Sequence, residues 1–138
     1  MSEHRIRFRG GWTCLAAGLP ETEGRRLDLP VRWSSDLPRR LVLTRRFGHP
    51  RHDPGRQIVL LAMDQVEGIV SLALNGQPIA PVAAATCRYE IEVPNLAERN
   101  VLVLEIELPE AGHNSTGRPE EWGVIALVVR GVEPEPQP

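Results

Sequence analysis

Along much of this chain apolar and polar positions take turns. In TCRYEIEV (86–93), Cys87, Tyr89, Ile91 and Val93 fall on one side and Arg88, Glu90 and Glu92 on the other, the period of two that a half-buried strand produces. NVLVLEIEL (100–108) places Leu102, Leu104, Ile106 and Leu108 on one face, with Glu105 and Glu107 opposite. HRIRFRG (4–10) sets Ile6 and Phe8 against Arg5, Arg7 and Arg9. LVLTRRF (41–47) lines up Leu41, Leu43 and Phe47 in a row that only Arg45 interrupts. Two segments break the rule. QIVLLAM (57–63) and WGVIALVVR (122–130) are apolar at nearly every position, so both faces of each are expected to be covered. The one helix-like stretch, NLAER, is too short to cover them, which leaves a loop, a second subunit or a partner domain.

The chain's 12 glycines and 13 prolines fall mostly between these runs, the punctuation of strands joined by turns rather than of helices. GIVSLALNGQPIA (68–80) reads as a strand, a tight turn at Asn75-Gly76 and a short strand. Both turn residues tolerate positive φ, and a type I′ turn matches the twist of the strands it joins. The pattern predicts eight or nine short strands in an all-β, two-sheet antiparallel β-sandwich, of jelly-roll or immunoglobulin-like type. One domain is expected over residues 1–131, followed by a flexible, proline-rich acidic tail at 132–138.

Six short motifs follow one another in a recognisable order. They are Gly11-Trp12; Leu29-Pro30 with Trp33; Arg46-Phe47 with Pro50; Leu74-Asn75-Gly76; Leu96; and Asn100 with Leu102 and Val103. In this order the chain resembles, over nearly its whole length, the N-terminal sugar-binding domain of family-two glycoside hydrolases, the β-galactosidase and β-glucuronidase family. The resemblance implies a galactose-binding-domain-like jelly roll. In that family the catalytic glutamates sit on a separate barrel domain, so the resemblance carries no reaction over to this chain. APVAAATCRY, after the hairpin, departs from the family's usual small-residue and aromatic stretch.

Composition adds exclusions. The formal net charge is -2, without the basic field that gathers nucleic acid. All 16 basic residues are arginine, first a mark of a GC-rich genome and only second a chemical choice. No apolar stretch has the length of a signal peptide or a membrane span. A cytoplasmic location, with neither nucleic-acid nor membrane partner, is expected. Two cysteines without an export signal are expected as reduced, packed thiols.

Candidate chemistry is confined to loops. Glu90 with Glu92, and Glu105 with Glu107, lie on solvated strand faces where nothing would keep a carboxyl protonated for glycoside hydrolysis, so no enzyme activity, catalytic residue or cofactor is expected. His49, Arg51, His52 and Asp53 occupy a proline-punctuated loop. His49, His52, Asp53 and the distant His113 could compose a metal site in principle, but solvated histidines are the reading adopted. Arg39, Arg40, Arg45, Arg46, Arg51 and Arg56 could grip a uronate, sulfate or phosphate, or pair with glutamates on neighbouring strands. The loop PEAGHNSTGRPEEW (109–122) brings His113, Asn114 and Arg118 beside Trp122, which is either an aromatic platform for a sugar ring or the core anchor of the last strand.

Two functions fit. One is a non-catalytic carbohydrate-binding module that takes a glycan, anionic if the arginines contribute, through the loops at 48–56 and 109–122. The other is an assembly domain without a sugar ligand, forming a homo-oligomer or binding a partner protein through strands 57–63 and 122–130.

Overall fold

The computed structural model describes residues 3–16, 18, 24–32, 40–53, 55–79, 88–93, 95–107 and 121–131. The tail at 132–138, Trp33, Cys87, Leu108 and the loop with His113, Asn114 and Arg118 lie outside the described residues.

Twelve strands are present among these residues, three of them only two residues long. They are β1 (Glu3–Arg7), β2 (Trp12–Ala16), β3 (Arg25–Leu27), β4 (Val31–Arg32), β5 (Arg40–Gly48), β6 (Gln57–Asp64), β7 (Ile69–Leu74), β8 (Gln77–Pro78), β9 (Arg88–Glu92), β10 (Arg99–Glu107), β11 (Glu121–Trp122) and β12 (Val124–Gly131). All pairings are antiparallel. One sheet runs β1-β12-β6-β9, the other β3-β2-β5-β10-β7-β8, and β11 with β4 makes a short clasp. From β5 onward the strands of five or more residues alternate between the sheets, so the architecture is the expected two-sheet sandwich with a jelly-roll path.

The core combines the inward rows that alternation singled out on β5 and β10 with every second residue of the apolar runs on β6 and β12. Leu41 and Leu43 of β5, Leu102, Leu104 and Ile106 of β10, Val59, Leu61 and Met63 of β6, and Ile125, Leu127 and Val129 of β12 pack into one cluster. Burial of a side chain of this size stabilises by roughly 1.5–3 kcal/mol. Arg45 breaks the inward row of β5 because its guanidinium lies 4.1 Å from the centre of the Phe8 ring while Nε donates to the Gly10 carbonyl at 2.8 Å. A cation on an aromatic face keeps its charge in an apolar setting. Gly11, with φ at +80°, leaves room for that guanidinium: a Cβ there would meet Arg45 Nε at 3.4 Å.

The fully apolar strands β6 and β12 are the central strands of their sheet, and part of their outward face is covered too. Leu60, Ala126 and Val128 are buried at 6%, 1% and 0% exposure, although they lie outside the inter-sheet cluster. Charged side chains cross this face. Arg130 on β12 donates through Nη1 to Glu90 on β9 at 2.7 Å and through Nε to Glu3 on β1 at 3.3 Å. Because β6 lies between β12 and β9, the Arg130–Glu90 contact has to pass over it, and the aliphatic stems shield the apolar residues beneath. Of the outward residues on the expected contact surface at 57–63 and 122–130, Leu60, Ala126 and Val128 are thus buried within the chain, while Ile58, Ala62 and Val124 are half-buried.

One glycine sets a testable limit. Gly68 has φ at +98°, and a Cβ there would sit 2.8 Å from the Glu107 carbonyl oxygen, whose residue donates its own amide to the Gly68 carbonyl at 2.9 Å. Gly68→Ala is expected to destabilise by about 2–3 kcal/mol, from left-handed strain together with the displaced strand end. Urea denaturation would check this; an unchanged midpoint would contradict the packing described.

Candidate functional site

Of the sequence-based site residues, Trp122, His49, Arg51, His52 and Asp53 lie among the described residues. Trp122 is 3% exposed and belongs to the core cluster, and its indole Nε1 donates to the Glu67 carbonyl at 2.7 Å. Of the two readings open for it, core anchor is the one observed, and no exposed ring face remains for a sugar to stack on. β11 fixes its place: Trp122 pairs with Val31, and Gly123 beside it lies so close to Leu29 that a Cβ would come within 3.1 Å of that side chain.

The loop between β5 and β6 is held largely by its own contacts, with the His49 amide donating to the Glu98 carbonyl at 3.2 Å. His49 and His52 stack with ring centres 5.1 Å apart, and the Nδ1 atoms of both approach the Pro50 carbonyl, at 2.7 and 3.4 Å. Asp53 ties off the turn: its Oδ1 accepts from the Gly55 amide at 3.1 Å and its carbonyl from the amides of Arg56 and Gln57. This is the usual local role of aspartate in a turn. Arg51 is exposed. Among the described residues no three His, Cys, Asp or Glu side chains gather as a metal ion needs.

The strand-face glutamates divide. Hydrogen bonding from Arg130 holds the Glu90 carboxyl below its ordinary pKa, the opposite of what a general acid requires. Arg40 pairs with Glu107 at 3.7 Å, so cross-strand ion pairs account for part of the arginine-rich face. Cys14 is a free, buried thiol whose pKa burial pushes up.

The concave feature nearest the Asn-Gly turn was not among the candidates. Asn75 and Gly76 have φ of 53° and 81°, as the hairpin reading requires. Asn75 Oδ1 accepts from the Val101 amide at 2.8 Å, and its Nδ2 donates to Asn100 Oδ1 at 3.0 Å. Asn100, 1% exposed, is the buried polar residue of the described core. Its Oδ1 also accepts from the Ala97 amide at 2.8 Å, and its Nδ2 donates to the carbonyls of Ala97 and Phe47 at 2.9 and 3.4 Å. Every hydrogen-bonding position of that amide is used, and two of the resembling motifs, Leu-Asn-Gly and Asn-x-Leu-Val, are thereby joined.

Beside this anchored corner lies a cleft of about 320 Å³ between the hairpin and the end of β9. Leu74, Pro78, Ile79 and Val93 supply its apolar lining; Gln77, Glu92 and Asn95 stand at it as exposed polar side chains. Asn75 also borders it, but its amide is committed to the turn. The cleft therefore offers two amides and a carboxylate on a rigid frame, the planar donors and acceptors that pair with adjacent hydroxyl groups. Sequence could have pointed here only through the Asn-Gly signal, because Glu92 and Asn95 are brought to Gln77 by the fold.

No protein-family model and no curated protein matches this chain. Solved structures do. The FMN-binding β-glucuronidase from Facaelibacterium prausnitzii L2-6 superposes with a TM-score of 0.67 at 15% identity, covering 92% of this chain and 22% of that one. The Bifidobacterium dentium β-glucuronidase complexed with coumarin-3-O-glucuronide gives 0.65 at 15% identity, covering 93% and 30%. A glycosyl hydrolase family 2 member from Bacteroides cellulosilyticus gives 0.62 at 13%, covering 91% and 20%. The chain thus spans less than a third of the length of each. The fold is that of a β-sandwich portion of family-two glycoside hydrolases, and the resemblance read from the six motifs is met at the level of fold.

Proposed function

We propose that this domain is a non-catalytic carbohydrate-binding module whose site is the cleft between the Asn75-Gly76 hairpin and the Glu92–Asn95 corner. The observation that carries the reading is the set of exposed planar groups, Gln77, Glu92 and Asn95, around an apolar lining at one end of a rigid sandwich. The structural neighbours that act on glucuronides lend it a class of ligand, a hexose or uronic-acid glycan. Without an aromatic face, the site would bind weakly and select by hydroxyl arrangement. Nothing in this reading requires a reaction: the neighbours are far longer chains, and Glu90 is tuned away from proton donation.

A glycan array with the purified protein tests it. Binding to a restricted set of glycans, lost in a Gln77→Ala/Asn95→Ala variant that keeps its melting temperature, is the expected result. An array without specific signal, or binding that ignores both substitutions, would remove the reading.

A further inference from the structure

The outward face of the six-stranded sheet carries an apolar patch at its centre. Thr13, Thr44, Val103 and Ala73 lie side by side on β2, β5, β10 and β7, and Leu15, Val42 and Val101 flank them, half-buried rather than shielded. Val70, at 45% exposure, is the exposed large hydrophobic residue among those described. Its exposure has a local cause: the β7–β10 register shifts between Ile69 and Ser71, leaving Val70 as the extra residue of a bulge. A solvated antiparallel face normally carries polar residues on its outer side; here Val42, Val101, Val103 and Ala73 form an apolar patch set among Thr13, Thr44, Ser71 and charged residues at the strand ends.

Charge is arranged with the same regularity. The outward residues of β10 read Arg99, Val101, Val103, Glu105, Glu107, positive at one end and negative at the other. Arg46 stands beside Val101, and Glu105 stands beside Val42. Both Arg46 and Glu105 are exposed, and neither has an ion pair among the described residues. Next to Glu105 is a depression of about 330 Å³ whose lining includes Val42, Val70 and the Arg40–Glu107 ion pair, which leaves Glu105 as its unpaired charge among the described residues.

We propose that two copies of this chain associate through this face, stacked sheet on sheet about a two-fold axis perpendicular to the strands. That operation reverses strand direction. It lays Val103 on its own counterpart and brings Arg46 and Val101 of one copy onto Val42 and Glu105 of the other, so the guanidinium meets Glu105 at the depression. A two-fold axis along the strands would instead set arginine on arginine. The four long strands, about 4.8 Å apart, present roughly 500 Å² of flat sheet, below the ~800 Å² per partner of a standard interface. An area of this size fits a reversible rather than an obligate dimer. The proposal is independent of the carbohydrate reading, because the cleft at Gln77 and Glu92 lies at the sheet's edge and not on this face.

Sedimentation velocity over about 1 to 300 µM protein tests it, a range that brackets micromolar dissociation constants. The expected result is a rise from the 15.3 kDa chain mass to twice that value. Arg46→Glu or Glu105→Arg alone should weaken association at least tenfold. The double variant Arg46→Glu/Glu105→Arg should recover most of it, because the reversed charges again meet their opposites. A protein that stays at its chain mass throughout would overturn the proposal, as would a dimer that neither single reversal weakens, or a double variant weaker than both singles.

Discussion

Trp122→Ala is expected to destabilise the protein by about 3–5 kcal/mol, the range for truncating a large aromatic side chain in a core. The ring is 3% exposed and its indole N–H is bonded to the Glu67 carbonyl, so the variant loses apolar burial and also leaves a carbonyl without its donor. Had the ring been an exposed platform for sugar, truncation would leave stability within about 0.5 kcal/mol and remove only binding. Urea denaturation separates the two. Should Trp122→Ala fail to fold, Trp122→Phe keeps most of the apolar contact and loses the hydrogen bond, with about 1–2 kcal/mol expected. A Trp122→Phe protein as stable as the parent, together with a soluble, stable Trp122→Ala, would contradict the core assignment.

Asn100→Ala should follow in size, at about 2–3 kcal/mol, because one buried amide holds together groups from three segments. Its removal leaves the Phe47 and Ala97 carbonyls, the Ala97 amide and Asn75 Nδ2 without their partner. Asn100→Asp sharpens the test: a carboxylate still accepts two bonds but turns a negative charge toward two carbonyls, so it should be no better than alanine at neutral pH. Hydrogen exchange gives the local readout. The amides of Asn75 and Val101, bonded across this corner, should lose protection in Asn100→Ala more than those of β6 and β12. Uniform changes across the sandwich would show that the network is not a local anchor.

What the sequence disclosed is what depends on local period and turn chemistry. The inward rows of β5 and β10, the Asn75-Gly76 turn and the two-sheet architecture follow from alternation and from which residues tolerate positive φ. Trp122 was ambiguous because it occupies a two-residue strand beside a polar loop, where period has nothing to count. The outward face at 57–63 and 122–130 was legible only in part. An apolar run shows that both faces are covered but not by what, and here the cover includes charged side chains from β1, β9 and β12, which pattern reading assigns to solvent. Conversely, the outward valines of β5, β7 and β10 were passed over, because a strict period of two misses the bulge at Val70 and treats Val101 and Val103 as ordinary strand residues. The cleft was hidden for a simpler reason: Gln77 and Glu92 stand 15 positions apart in the chain and meet only when the two sheets close.

The account's functional claim rests on where a ligand would touch the sandwich. The most direct measurement is a backbone amide NMR titration of the full chain with the glycans that an array selects, or with a glucuronic-acid oligosaccharide as the starting probe. Saturable shifts concentrated at residues 75–79 and 92–96, with the 48–56 loop unmoved, are the result predicted. Shifts centred on His49 to Arg56, or none at millimolar ligand, would contradict it.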